Sequence, residues 1–161
     1  MITLADILDR AAVLLAADSA IAAWTSAQFG KAPVIFIGLN EGDPPGVAQC
    51  PCIILRPAHA ADGQETEEFG YAFRVDWVIS NAAQTTVGAI TTYAGIRQLD
   101  DFGKLIYACL KGTPQNPGIS ANVAISDREV IYDDGTMFPM WLAGAYMTMR
   151  APQVLGGEIE L

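Results

Sequence analysis

The sequence predicts an α+β fold: an antiparallel β-sheet with helices packed on one face, in a single domain over 1–161. Three observations predict it. Phe69, Tyr71, Phe73, Val75, Trp77 and Ile79 alternate with Gly70, Ala72, Arg74, Asp76, Val78 and Ser80. Side chains on a strand alternate faces, so this is a long strand with one apolar, packed face and one small or charged, wet face. Around Leu4–Leu15 and Phe102–Leu110 the apolar residues recur at helical spacing instead. Strands gather in runs with the helices set apart from them, the pattern of helices laid on an antiparallel sheet.

Each element has a local cause. Thr3 is placed to cap a helix over about 3–17, with Asp6 at the third helical position facing the free N–H groups. Asp18 and Ser19 restart a shorter helical piece over about 19–28, and Gly30 with Pro33 stops it. Val34–Ile37 is a short strand, and Asn40–Gly46 is dense in turn residues. Cys52–Leu55 reads as a second strand, opened by Pro51 and closed by Pro57. Ala58–Glu68 reads as an acidic surface loop before the strand at 68–80. The pattern over Asn81–Leu99 fits a loop and a frayed helix equally.

Asp100 or Asp101 is then expected to cap a helix that buries Phe102, Leu105, Ile106, Cys109 and Leu110 and ends at Gly112 and Pro114. Ile119–Ile125 alternates and then slips phase, which calls for a bulge or turn near Asp127–Glu129 before Val130 and Tyr132. Asp133-Asp134-Gly135 is a hairpin turn signal, and Phe138–Arg150 is a last strand, bulky on both faces. The apolar residues Val154, Leu155, Ile159 and Leu161 make 151–161 an extended tail that either docks on a neighbour or folds back on its own sheet.

Composition removes several classes of function. With 52% hydrophobic and 17% charged residues, the chain has the material for a core and is not disordered overall. No apolar run approaches the roughly 20 residues of a membrane helix, and the first residues lack the basic stretch of a secretory signal. The net charge is −9, with no cluster of Lys or Arg, so tight binding to a phosphate backbone is not expected. The three cysteines, Cys50, Cys52 and Cys109, suit a reducing compartment and buried, apolar roles. With His59 as the single histidine, a zinc site lacks ligands.

The search for chemistry returns little. Phosphate-binding loops, dinucleotide fingerprints, nucleophile elbows and zinc-protease motifs are all missing from the sequence. Cys50 or Cys52 with His59 forms a drawable thiol–base pair, but no third residue orients it. Asp100-Asp101 and Asp133-Asp134 are paired carboxylates of the kind that hold a cation or share a proton; their places at a helix start and a turn already account for them. No catalytic residue, cofactor or metal is therefore expected.

Three short motifs carry a resemblance: Pro51-Cys52-Ile53-Ile54-Leu55, Phe73-Arg74-Val75-Asp76-Trp77 and Pro139-Met140-Trp141-Leu142-Ala143. With the order of elements, they make the chain resemble the tail-terminator (tail completion, minor tail protein U-like) family of long-tailed bacteriophages and prophages. The resemblance implies a non-enzymatic, structural protein of the virion tail, assembled in the bacterial cytoplasm. It implies a hexameric ring at the head-proximal end of the tail tube, ending tube polymerisation. Its partners would be copies of itself, the tail tube protein and the head–tail connector, with DNA passing through unbound and no membrane involved. Six copies at −9 make a ring of −54, suited to letting DNA slide. Glu41, Asp43, Glu65, Glu67 and Glu68 are the candidate acidic residues of the lumen or interface. The alternatives are another head–tail joining or neck protein, and a small-molecule-binding domain with a pocket lined by Tyr71, Trp77 and Tyr107.

Overall fold

The structure is a computed structural model that describes residues 3–61, 68–113, 118, 119, 124–133 and 135–152. Helix α1 (Leu4–Ala17) starts at Thr3, whose hydroxyl accepts from the Asp6 amide while the Asp6 carboxylate accepts from the Thr3 amide, the expected capping box. Helix α2 (Ser19–Phe29) is capped by Asp18 and ends on Gly30 at φ 73°, a left-handed residue that a Cβ would disfavour.

The strands are β1 (Val34–Ile37), β2 (Cys52–Ala61), β3 (Glu68–Ser80), β4 (Gln84–Val87), β5 (Ile90–Tyr93), β6 (Ala124–Tyr132) and β7 (Met140–Pro152), with helix α3 (Ala94–Lys111) between β5 and β6. The main sheet has the order β1-β2-β3-β7-β6, and β4-β5 is a separate hairpin. The fold is α+β as expected. The four strands from β2 to β6 are antiparallel, and β1 joins the edge parallel to β2. A parallel pair needs a long crossover; Gly38–Pro51 provides it, with a short 3-10 turn at Val47–Gln49.

All three helices lie on one face. Ile7, Leu8, Ala11 and Leu15 of α1, Ile21 of α2 and Leu99, Phe102, Ile106 and Leu110 of α3 pack against Ile53, Leu55, Phe73, Val75, Trp77, Ile79, Ala143, Ala145 and Met147. Trp24 joins α2 to α3 by stacking on Phe102 at 5.4 Å. The periodicity of the long strand is thus the packed face, as its sequence implied.

Four expectations need correction. First, α3 starts at Ala94, so Asp100 and Asp101 lie inside the helix and cap nothing. Its buried face includes Gly95 and Gly103, and glycines leave no apolar mark in a periodicity. A Cβ at Gly103 would overlap the Trp77 ring and one at Gly95 the Trp141 ring. Both indoles therefore fit under the helix only because glycine stands there. Second, Pro57 does not end β2. It sits at a register shift between Pro57 and His59, where the lost N–H is tolerated. The strand runs on to Ala61, and 62–67 lie outside the described residues. Third, 81–99 is neither loop nor frayed helix but the β4–β5 hairpin and the first turns of α3. Fourth, the other sheet face is not simply wet: Cys50, Cys52, Ile54 and Val78 form a second buried cluster under Phe36, Leu39, Met140 and Leu142.

The phase slip in β6 falls between Ile125 and Asp127, beside the expected position. Asp133 opens the β6–β7 turn, accepting from the Gly135 amide and the Thr136 hydroxyl. The tail at 153–161 and Ser120–Val123 lie outside the described residues.

The Trp77 indole N–H donates to the Leu99 carbonyl at 2.9 Å in the core. Trp77→Ala is expected to cost about 3–5 kcal/mol in urea denaturation, and Gly103→Val about 1–3 kcal/mol by overpacking the same contact. A near-neutral result for both would remove Trp77 from the core.

Candidate functional site

The helix-free face of the sheet carries its polar centre. Asp76 on β3 is 2% exposed. Its carboxylate accepts from Arg56 Nη2 of β2 at 2.6 Å and from Arg74 Nε at 2.6 Å. The register aligns these groups: Arg56 lies opposite Arg74, and Ile54, Asp76 and Gly144 stand in one row. Gly144 is required there, because a Cβ would overlap the Asp76 carboxylate. Arg74 also lies over the Tyr146 ring, 5.4 Å from its centroid. Arg56 Nε is buried without an acceptor. Two guanidiniums on one carboxylate leave an excess positive charge in the middle of a face belonging to an acidic chain. Sequence reading placed Arg74 and Asp76 on a wet face, because alternation cannot reveal that Arg56 arrives from the next strand.

A second feature is the β4–β5 hairpin, which projects from the junction of β3, β7 and α3. Its root is Asn81, which sequence reading did not single out. The Asn81 amide donates to the Pro139 carbonyl and its side-chain amide to Gln98 Oε1 at 2.6 Å. Its Oδ1 accepts from the Ala83 amide, and its carbonyl from the Trp141 indole N–H at 2.8 Å. One residue, through its backbone and side chain, so ties the root of the hairpin to α3 and to the start of β7. Tyr93 closes the base by packing on Phe138 and Trp141. Beyond that base β4 is wholly exposed, and β5 is exposed up to Tyr93.

The residues proposed for chemistry are not brought together. Cys50 and Cys52 share the second buried cluster, and the Cys52 thiol holds Cys50 below the usual thiol range while its own is pushed up. His59 stands on β2 seven residues beyond Cys52, a backbone separation of about 23 Å at ~3.3 Å per residue. Asp100 accepts from Lys104 at 2.6 Å and from the Tyr132 hydroxyl at 3.1 Å, and Asp101 also pairs with Lys104. These are surface pairs of small worth. Asp134 lies outside the described residues. No group of three or more metal-ligating side chains occurs among the described residues.

Trp77 lines a cleft with Asp100, Gly103, Lys104, Arg128, Val130 and Tyr132. Its interior space of about 10 Å³ has room for one water molecule. Tyr71 belongs to the main core, and Tyr107 is covered by Arg128 at 4.2 Å, so the three aromatics expected around a ligand do not share this cleft.

Of the acidic residues, Glu41 and Asp43 are exposed on the crossover beside β1. Glu65 and Glu67 lie outside the described residues. Glu68 opens β3 opposite Pro152, at the far end of the sheet from Ser80.

No family model matches the chain, and no curated protein matches it. No described helix is long and apolar enough to cross a membrane.

Asp76→Ala is expected to destabilise by about 3 kcal/mol, because two arginines lose their carboxylate in a largely dry place. Lys104→Ala should leave the denaturation midpoint nearly unchanged, because its pairs are solvent-exposed. Equal effects in paired denaturation curves would contradict this ranking. Burial, with Asp18 nearby, pushes the Cys109 thiol up to about 12. An unfolded thiol titrates near ~8.5, so stability is full below that pH and falls as pH rises toward the folded value. Cys109→Ala should flatten this alkaline decline in urea midpoints; an unchanged slope would assign the decline elsewhere.

Proposed function

We propose that this protein is a structural assembly subunit, not an enzyme: a tail terminator that forms a ring on the head-proximal end of a bacteriophage tail tube. One observation carries the reading. The three motifs that bear the resemblance, far apart in sequence, lie on the adjacent strands β2, β3 and β7 at the centre of the sheet. Ile53, Trp77 and Ala143 stand in one row of it. The resemblance therefore concerns the architecture of the core rather than scattered surface residues.

Two further features support assembly over chemistry. The Asp76 carboxylate is already held by two arginines, and the polar cleft beside Trp77 has room for no more than one water molecule. Among the described residues the sheet ends in β1 on one side and β6 on the other, edges that offer backbone groups to another chain. Contacts between different patches of one chain close into rings when the rotation permits. In such a ring a net charge of −9 per copy favours passage of DNA over its retention. Glu41 and Asp43, exposed on the crossover, are the acids this reading assigns to the lumen.

The test is electron microscopy of bacteriophage tail tubes, grown from a purified tail-tube protein, with and without this protein. The reading predicts a ring on one end of each tube and an end to elongation. Tubes that lengthen equally, with bare ends, would overturn it.

A further inference from the structure

We propose that the β4–β5 hairpin is the arm by which one copy of this protein grips the next, adding to the unpaired edge of β1 in a neighbouring copy. The proposal rests on the assembly reading above and names the contact that builds it.

The hairpin is unusual in three physical respects. It is an isolated pair of four-residue strands, a structure that is marginal in water without a further strand or a packed face. It is nevertheless set rigidly, through the four hydrogen bonds of Asn81 and the packing of Tyr93. At its tip Val87 and Ile90 stand opposite each other, 74% and 70% exposed. Burying such an exposed aliphatic pair against another chain is favourable. The cross-strand Thr86–Thr91 hydroxyl contact at 2.9 Å adds no apolar cover.

Charge selects the occupant. From Asn81 to Ile96 no residue is charged. Copies of a chain at −9 repel one another, so an uncharged surface is a place where they can meet without adding to that repulsion. Among the described residues the sheet offers two edges, β1 and β6, to an incoming strand. β6 carries Asp127, Arg128 and Glu129 in its middle, the charged guard that keeps edges apart. β1 carries none: Ala32 to Asn40 is uncharged, and Val34 and Ile37 are exposed. β1 is also four residues long, the length of either hairpin strand. An uncharged arm and an uncharged, unguarded edge of equal length thus lie on different parts of one molecule. Such a contact is head-to-tail, and every copy retains one free arm and one free edge until a ring closes.

The experiment uses the full chain and two double variants at exposed positions, V87K/I90K in the arm and V34K/I37K at the edge, each checked for wild-type urea midpoint. If the edge pair lowers that midpoint, I37K alone replaces it. In sedimentation velocity the wild type should associate into multi-copy complexes, and each variant alone should sediment as a monomer. An equimolar mixture of the two variants keeps one intact contact and should give a dimer containing one of each. A wild type monomeric at its highest soluble concentration would overturn the proposal. So would a variant that retains the wild-type mass, or a mixture that stays monomeric. The two readings fail separately: complexes that behave as described but ignore tail tubes would end the terminator assignment and keep the arm. Tube ends capped equally by V87K/I90K would do the reverse.

Discussion

The seating of Trp77 under helix α3 is the contact on which the remaining architecture depends. The indole lies between the sheet and the helix, and its N–H is bound by the Leu99 carbonyl. It fits because Gly103 leaves room above it, as Gly95 does above Trp141. Two glycines eight residues apart face the same side of a helix, so α3 is lowered onto two tryptophans at once. That sets the height of α3 over β3 and β7. It also fixes the place where the chain leaves β5, and through the bond from Trp141 to Asn81 it fixes the root of the projecting hairpin.

The opposite face follows a different rule. Its apolar half is closed by the crossover that returns β1 to β2, and its polar half by two arginines folded over Asp76. The carboxylate is buried without a helix above it, because long side chains from the neighbouring strand can cover what the backbone leaves open. Gly144 makes the geometry possible. Glycine thus does the same work on both faces, admitting a large or charged group where a side chain would collide.

The fold was legible in sequence wherever burial and side-chain type coincide. The period of two through Phe69–Ser80 located β3 and its packed face, and Thr3 with Asp6 located the start of α1. Legibility failed where burial is carried by residues without apolar mass. Gly95 and Gly103 took two of the six buried positions of α3 out of its apolar stripe, and Gly95 left its first turn unmarked, so the apparent start moved to Asp100. Pro57 looked like a stop because sequence does not show a bulge. The hairpin was missed because Gln84–Tyr93 has no buried face, and a period of two shows only when one side is apolar. The Asp76 cluster depends on register, which brings Arg56 across from residue distances no pattern spans. The acids chosen for a lumen were legible only as a count of charge.

The absence of charge turned out to be as informative as its excess. An acidic chain that leaves two exposed stretches neutral, one a rigid arm and the other an unguarded strand edge, has surfaces suited to meeting its own copies. Hydrogen exchange on the wild type, compared between the dilute monomer and the assembled form, tests this account most directly. It predicts new protection of backbone amides at 84–93 and 34–37 on assembly, with β6 unchanged. Protection at β6 instead, with the hairpin still exchanging freely, would contradict it.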